Sequence, residues 1–320
     1  MTTPGAVLLE RGSVRARVLP DEGGVLLDLL IAGRSVLTAT PWADAIAPGT
    51  RPALTEEEWV RHWRGGWQLG FPTAGLSNPA ATVLEGFHGI ASQLPWRVTA
   101  VTPDSISLSW VDEVGLRADR EWSLTDDGAT VATRVRNDGG TARTLIICEH
   151  LILGGDALAG PLELDVPAAA CLRPLDYSGV PDGDPRVWPG DPADRWDSVD
   201  HETPARVAAI LNLASSRIRA RGPHAEVIVD WEGAVLPHAL IWEELGVSLD
   251  HPWNGQVRAL GIEPTSTPHG AGTALDDGLV RLPPGGELDW SATLRVRWSS
   301  LASPFIDRDR RLDHPQTERS

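Results

Sequence analysis

Apolar and polar residues alternate along most of this chain in short runs, and the runs are broken by glycine, proline, aspartate and asparagine. In "SVRARVLP" (13–20), Val14, Ala16 and Val18 fall on every second position. The segments "WRVTAVTPDSISLSWV" (96–111) and "LRADREWSLTDDGATVATRVRND" (116–138) keep strand-like runs on either side of "TPDS" and "TDDG". Such runs with turn residues between them predict antiparallel strands. "GGVLLDLLIAGRSVL" (23–37) and "ARTLIICEHLILGG" (142–155) read the same way, and "NDGG" marks the turn before the latter. The pattern resumes in "ARVAAILNLASSRIRARG", "AEVIVDWEG", "HALIWEELG", "VRALGIEP" and "ELDWSATLRVRWSS". The expected fold class is a large all-β domain over residues 1–306 with few short helices. The tail "DRDRRLDHPQTERS" (307–320) is expected to be disordered.

One helix is expected in "TEEEWVRHWRGGW" (55–67). Thr55 is placed to cap it, Glu58 falls at the capping-box position, and Gly65-Gly66 stops it. Trp59 and Trp63 then share a face and pin this insertion to the sheet. The stretch "RPLDYSGVPDGDPRVWPGDPADRWDSVDHETP" (173–204) is dense in proline, glycine and aspartate, yet it carries Tyr177, Trp188 and Trp196. Rings are rare in linkers, so an ordered loop over a binding face is expected.

Composition narrows the chemistry. Of 320 residues, 42% are hydrophobic, enough for a sizeable core, and the net charge of −16 argues against nucleic acid or an anionic membrane as partner. There is no lysine, which removes Schiff-base chemistry and the phosphate-loop lysine. Fourteen tryptophans stand against one tyrosine and three phenylalanines. Most are expected in the core, but indole also stacks well on sugar rings. Two cysteines, Cys148 and Cys171, make no disulfide framework. The N-terminus lacks a signal-peptide pattern, and no stretch approaches the roughly 18 apolar residues of a membrane span. A cytoplasmic protein is expected, either monomer or homodimer.

Nucleotide-binding glycine motifs, the G-x-S-x-G elbow and H-E-x-x-H are all absent, so no cofactor is expected. Four places could carry chemistry. His88 precedes Gly89 in "EGFHGIASQLPW". Glu149 and His150 end the run "IICEH". Asp200 and His201 leave the long loop. Glu263 follows the apolar run Ala259–Ile262 and runs directly into Pro264. A carboxylate at the end of a buried strand is costly unless it is paired or employed.

In order and spacing, "GGWQLGFPTAG", "HGIASQLPW", "EHLILG", "PHALIWEE", "LGIEPTS" and "LPPGGELDWSATLRV" resemble the aldose 1-epimerase, or galactose mutarotase-like, superfamily. The resemblance spans about residues 20 to 298. It implies a β-supersandwich, a large antiparallel β-sandwich that holds a sugar on the concave face of one sheet. It also implies Glu263 as general base, His150 as general acid and His88 as a substrate-orienting donor. Asp200 falls at the family's substrate-binding aspartate. The family's arginine has no counterpart in "FPTAGLSN" or at Ser92. Gln68, Asn78 and Gln93 are the candidates to replace it, with Gln68 taken as substrate-binding. Trp242 and Trp231 are the candidates for stacking on the sugar.

That reaction needs one acid, one base and no metal. Two other readings compete: a non-catalytic sugar-binding protein on the same fold, or a lyase, hydrolase or epimerase acting on a larger glycan. A hydrolase would pair Glu263 with Asp200 or Glu149. No close-spaced ligand pair supports a metal site, and Cys148, which shares a strand face with His150, is expected to be a buried inert thiol.

Overall fold

The computed structural model describes residues 5–44, 52–76, 85–167, 170–192, 194–200, 203–211, 213 and 215–299. The tail expected to be disordered lies outside them, as do Asn78 and His201.

The fold is all-β, built on two large antiparallel sheets. The first has eleven strands. From one edge these are Val7–Arg11, Val14–Leu19, Val25–Ile31, Trp67–Gly70, Cys148–Leu153, Arg258–Thr265, His238–Leu245, Arg206–Leu211, Cys171–Leu175 and Arg186–Val187, with Arg34–Ser35 paired to Val25–Ile31. The second has nine: Ser198–Val199, Leu162–Asp165, Arg217–Arg221, Ala225–Trp231, Glu287–Trp298, Gly128–Asn137, Leu116–Leu124, Ser105–Val111 and Arg97–Val101. A ribbon of Arg143–Leu145 and Val280–Leu282 stands apart.

The alternating segments thus form strands where their period predicts them. The stretch read as one irregular loop, 173–204, starts inside a strand and contains two more, Arg186–Val187 and Ser198–Val199. Each has only two residues, too short to show any period in the sequence. The expected helix is also shorter than its sequence signal. It runs Glu56–Val60, with Thr55 accepting from the Glu58 N–H, and ends at Arg61, ahead of Gly65.

The main core fills the space between the sheets. The strand Leu116–Leu124 turns Leu116, Ala118, Trp122 and Leu124 inward, and Glu287–Trp298 turns in Trp290, Ala292, Leu294 and Val296. Leu151, Leu153, Leu260 and Ile262 of the first sheet meet them there.

Period two also carries two charged residues into this core, Arg120 and Glu149, both essentially inaccessible. They find each other across the gap. Arg120 Nη1 and Nη2 donate to Glu149 Oε1 and Oε2 at 2.8 and 2.7 Å. The indole N–H of Trp290 donates to Oε1 and that of Trp67 to Oε2, each at 2.8 Å. Four donors therefore serve one carboxylate, and Arg120 also donates to Thr133 while lying over the Trp122 ring. A buried pair of this kind need not beat an apolar pair, but losing one member leaves a bare charge in the core. Arg120→Met is expected to lower the unfolding free energy by about 3–5 kcal/mol in urea titrations. A loss below about 1 kcal/mol, the scale of a surface pair, would mean the bond does not hold the sheets.

Candidate active site

The outer face of the first sheet, turned away from the main core, carries a cleft. Its floor follows from register. Cys148 pairs with Thr265 and Ile152 with Gly261 across the strands Cys148–Leu153 and Arg258–Thr265. That register sets His150 opposite Glu263. Directly opposed residues of antiparallel strands hold their Cβ atoms about 4.5–5.5 Å apart on one face. The next strands extend the row, with Gln68 beside His150 and Leu240 beside Glu263. Glu149, one residue from His150, faces the opposite way into the core.

Glycine shapes this floor at two places. A Cβ on Gly261 would lie 2.4 Å from Glu263 Oε1, so the bare backbone leaves the room in which that carboxyl folds back. At one end of the cleft three backbones converge. A Cβ on Gly75 would lie 1.6 Å from the Gly270 carbonyl oxygen, and the Gly270 N–H donates to Gly179 O at 2.8 Å. "FPTAG", "TPHG" and "DYSG" are sequence traces of this meeting point.

Aromatic rings form the walls. Trp59 and Trp63 stack on each other with centroids 5.6 Å apart, and both stand over the edge of His150 at 5.7 and 6.1 Å. Trp63, Trp242 and Trp253 form a triangle with sides of 5.8, 5.9 and 6.1 Å. Trp253 sits on the 246–257 loop, which is anchored by Glu244. That carboxylate accepts the N–H groups of Gly246, Val247 and Ser248 at 3.0, 2.9 and 3.2 Å. Phe87, Tyr177 and Ser178 complete the lining with Glu56, Val207 and Leu240. The cleft encloses about 100 Å³. One water needs about 10–15 Å³ on the same scale, so there is room for several waters or one small ring.

Burial governs the titration of the floor. It pushes the Glu263 carboxyl up to about 8, with only the Cys148 thiol, donating at 3.7 Å, acting against it. It pulls His150 down to about 3. His88, with its ring centroid 4.7 Å from that of His150, is held well below the ordinary range by burial and then by that neighbour. At neutral pH the group therefore carries a neutral carboxylic acid and two neutral imidazoles. His88 Nδ1 accepts the Gly75 N–H at 3.2 Å, which leaves Nε2–H as its donor. Burial, Glu263 and Glu149 hold the Cys148 thiol well above its usual range, so a thiolate nucleophile is disfavoured.

Glu263, His150, His88 and Trp242 thus come together in one cleft. Gln68 adjoins His150 on the same sheet face but opens into a smaller chamber behind Trp59 and Trp63, with Glu22, Arg64 and Gln93. Two other expected residues lie elsewhere. Trp231 is in the main core, its indole donating to Leu236 O at 2.7 Å. Asp200 acts on Glu243, whose side chain leaves the sheet on the face opposite to Trp242, where it is held by Arg206 at 3.0 and 3.1 Å. Gln93 is occupied by the backbone of Ala53 and Phe87 and is not free for a ligand. Among the described residues lining the cleft there is no arginine, and none of the described His, Cys, Asp and Glu residues form a group of three or more suited to a metal ion. Trp63, Trp253 and Glu56 were not singled out as site residues. The i, i+4 spacing of Trp59 and Trp63 did signal one shared face, and that face is the cleft wall.

The raised Glu263 carboxyl has a consequence for stability. The folded chain holds this proton up to about pH 8, whereas an unfolded glutamate releases it near 4.5. Stability from this group is therefore full below about 4.5 and is lost as pH rises toward 8. Relative to Glu263→Gln, the wild type should lose up to about 1.4 kcal/mol per pH unit over this window. The histidines are common to both proteins and cancel. Urea titrations at pH 5, 6.5 and 8 would refute this if the two stabilities ran parallel.

No family model matches the chain, and no curated protein sequence does. Its backbone is similar to that of the Slr1438 protein of Synechocystis, at 17% identity over 93% of this chain and 97% of that one, with a TM-score of 0.71. It is also similar to a galactose mutarotase-like protein of Lactobacillus casei, at 15% identity over 92% and 100% of the two chains and a TM-score of 0.67. A galactose mutarotase related enzyme of Lactobacillus acidophilus gives 15% identity over 93% and 98%, with the same TM-score of 0.67. No helix of the described residues is long and apolar enough to cross a membrane. Two sheets in this order, with the cleft on the outer face of the larger, are the galactose mutarotase-like fold.

Proposed function

We propose that this protein is an aldose 1-epimerase, an isomerase that interconverts the α and β anomers of a free monosaccharide through Glu263 and His150. The observation that carries the reading is the direct opposition of these two side chains on neighbouring strands, at the floor of a tryptophan-walled cleft sized for one ring.

Anomer exchange opens a cyclic hemiacetal. A base takes the proton of the C1 hydroxyl, an acid gives one to the ring oxygen, and the C1–O5 bond breaks to leave an aldehyde. The aldehyde carbon turns about its bond to C2, and the ring closes from the other face as both protons return. Net proton count does not change, so the enzyme must hold one mobile proton shared between two groups. Glu263 and His150 do so in two forms of equal charge: carboxylic acid with neutral imidazole, or carboxylate with imidazolium. Burial favours the first. In the second, Glu263 is the base and His150 the acid, and a polar hemiacetal between them favours that separation of charge. His88 Nε2–H orients a hydroxyl, and Trp242 offers an apolar face to the ring.

The one-proton state exists between the two steps at which the pair gains or loses a proton, about 3 and about 8. Activity is therefore expected to hold through neutrality and to fall as pH rises through about 8. A mechanism needing only the Glu263 carboxylate would instead gain rate there. NMR exchange between anomeric protons, corrected for the uncatalysed rate, separates the two. Glu263→Gln and His150→Ala should each lower the rate by about 10²–10⁴. Wild-type activity retained in Glu263→Gln would overturn the assignment. Failure of any free aldose to respond would shift the reading to a sugar-binding protein or to an enzyme of larger glycans.

A further inference from the structure

The identity of the sugar is legible in what surrounds the reacting pair. In a pyranose the exocyclic C6 group is borne on C5, the atom bonded to the ring oxygen. Whichever residue protonates that oxygen therefore has C6 beside it. If His150 does so, C6 meets Trp59 and Trp63, whose centroids lie 5.7 and 6.1 Å from the imidazole. If Glu263 does so, C6 meets Leu240, its cross-strand partner, and the Gly261–Trp242 pair beyond it. Both surroundings are apolar. The polar exceptions in the lining are His88, whose single N–H is already claimed by a hydroxyl near C1, Tyr177, whose hydroxyl is engaged by Trp242 and Ser248, and Ser178 and Glu56.

Resting on the epimerase reading, we propose that the substrate is an uncharged 6-deoxyaldohexose, with its C5 methyl group against this apolar wall. A 6-hydroxyl placed there would lose its water partners without replacement, at a cost of about 1–3 kcal/mol. A 6-phosphate would be worse. The described lining has no arginine, the chain has no lysine, and the ionisable acids facing the cleft, Glu56 and Glu263, repel an anion or leave it unpaired. A pentose lacks the methyl and leaves the wall unfilled, which forfeits about one methyl group of burial.

The test measures kcat/KM for anomer exchange by NMR on matched sets: 6-deoxygalactose, galactose, galactose 6-phosphate and arabinose, with the corresponding gluco and manno sets. In at least one set the 6-deoxy sugar should exceed both its 6-hydroxy parent and its pentose by about 10- to 100-fold, with no acceleration of the phosphate. Tryptophan fluorescence titration of Glu263→Gln should show the same order in affinity, independent of turnover. Exchange of a parent hexose, a pentose or a 6-phosphate at a rate equal to or above that of the deoxy sugar would overturn the deoxy assignment and leave the epimerase standing. No acceleration of any sugar would overturn both.

Discussion

The bond between Arg120 and Glu149 fixes how the two sheets face each other, and the site depends on it at one residue's remove. Glu149 lies between Cys148 and His150 on a single strand. The pleat sends Glu149 to the core and its two neighbours to the cleft. With four donors converging on the Glu149 carboxylate, the strand cannot slip by one residue, since a slip would turn the charge outward and His150 inward. The core ion pair is thus also a register device for the strand that carries His150. Trp67, which supplies one of the donors, belongs to the strand that carries Gln68 alongside His150.

The cleft inverts the usual logic of burial. In the core, charge is kept and neutralised by partners. On the cleft floor, charge is removed: Glu263 keeps its proton and His150 and His88 stay neutral, because little besides a thiol is near enough to hold an ion. The two carboxyls, Glu149 and Glu263, sit on neighbouring strands but on opposite faces of one sheet. Glu149 meets a guanidinium and two indole N–H donors, whereas the partner of Glu263 is the Cys148 thiol.

Those tryptophans divide by face as well. Trp67, Trp122 and Trp290 lie in the layer between the sheets, whereas Trp59, Trp63, Trp242 and Trp253 stand on the outer face. The second group is assembled from three separate segments: the short helix and the turn after it, one strand of the large sheet, and the loop braced by Glu244. Sparse polar lining follows from this assembly.

Much of this was legible in the sequence, because local chemistry suffices for it. Alternation marks most of the strands, Thr55 and Glu58 mark the helix start, and a lone glutamate running into proline after an apolar run marks the floor of the cleft. The motif order around His88, His150 and Glu263 pointed to one protein superfamily. Other features depend on residues distant along the chain, and there the tertiary structure alone decided. Asp200 and Trp231 carry the residue types of a sugar site, yet they fall behind the sheet and in the core, since the face a side chain takes depends on the pairing of its strand. The opposition of His150 and Glu263 is a matter of register between strands more than a hundred residues apart. Their proton affinities are set by burial, which only the closed cleft supplies.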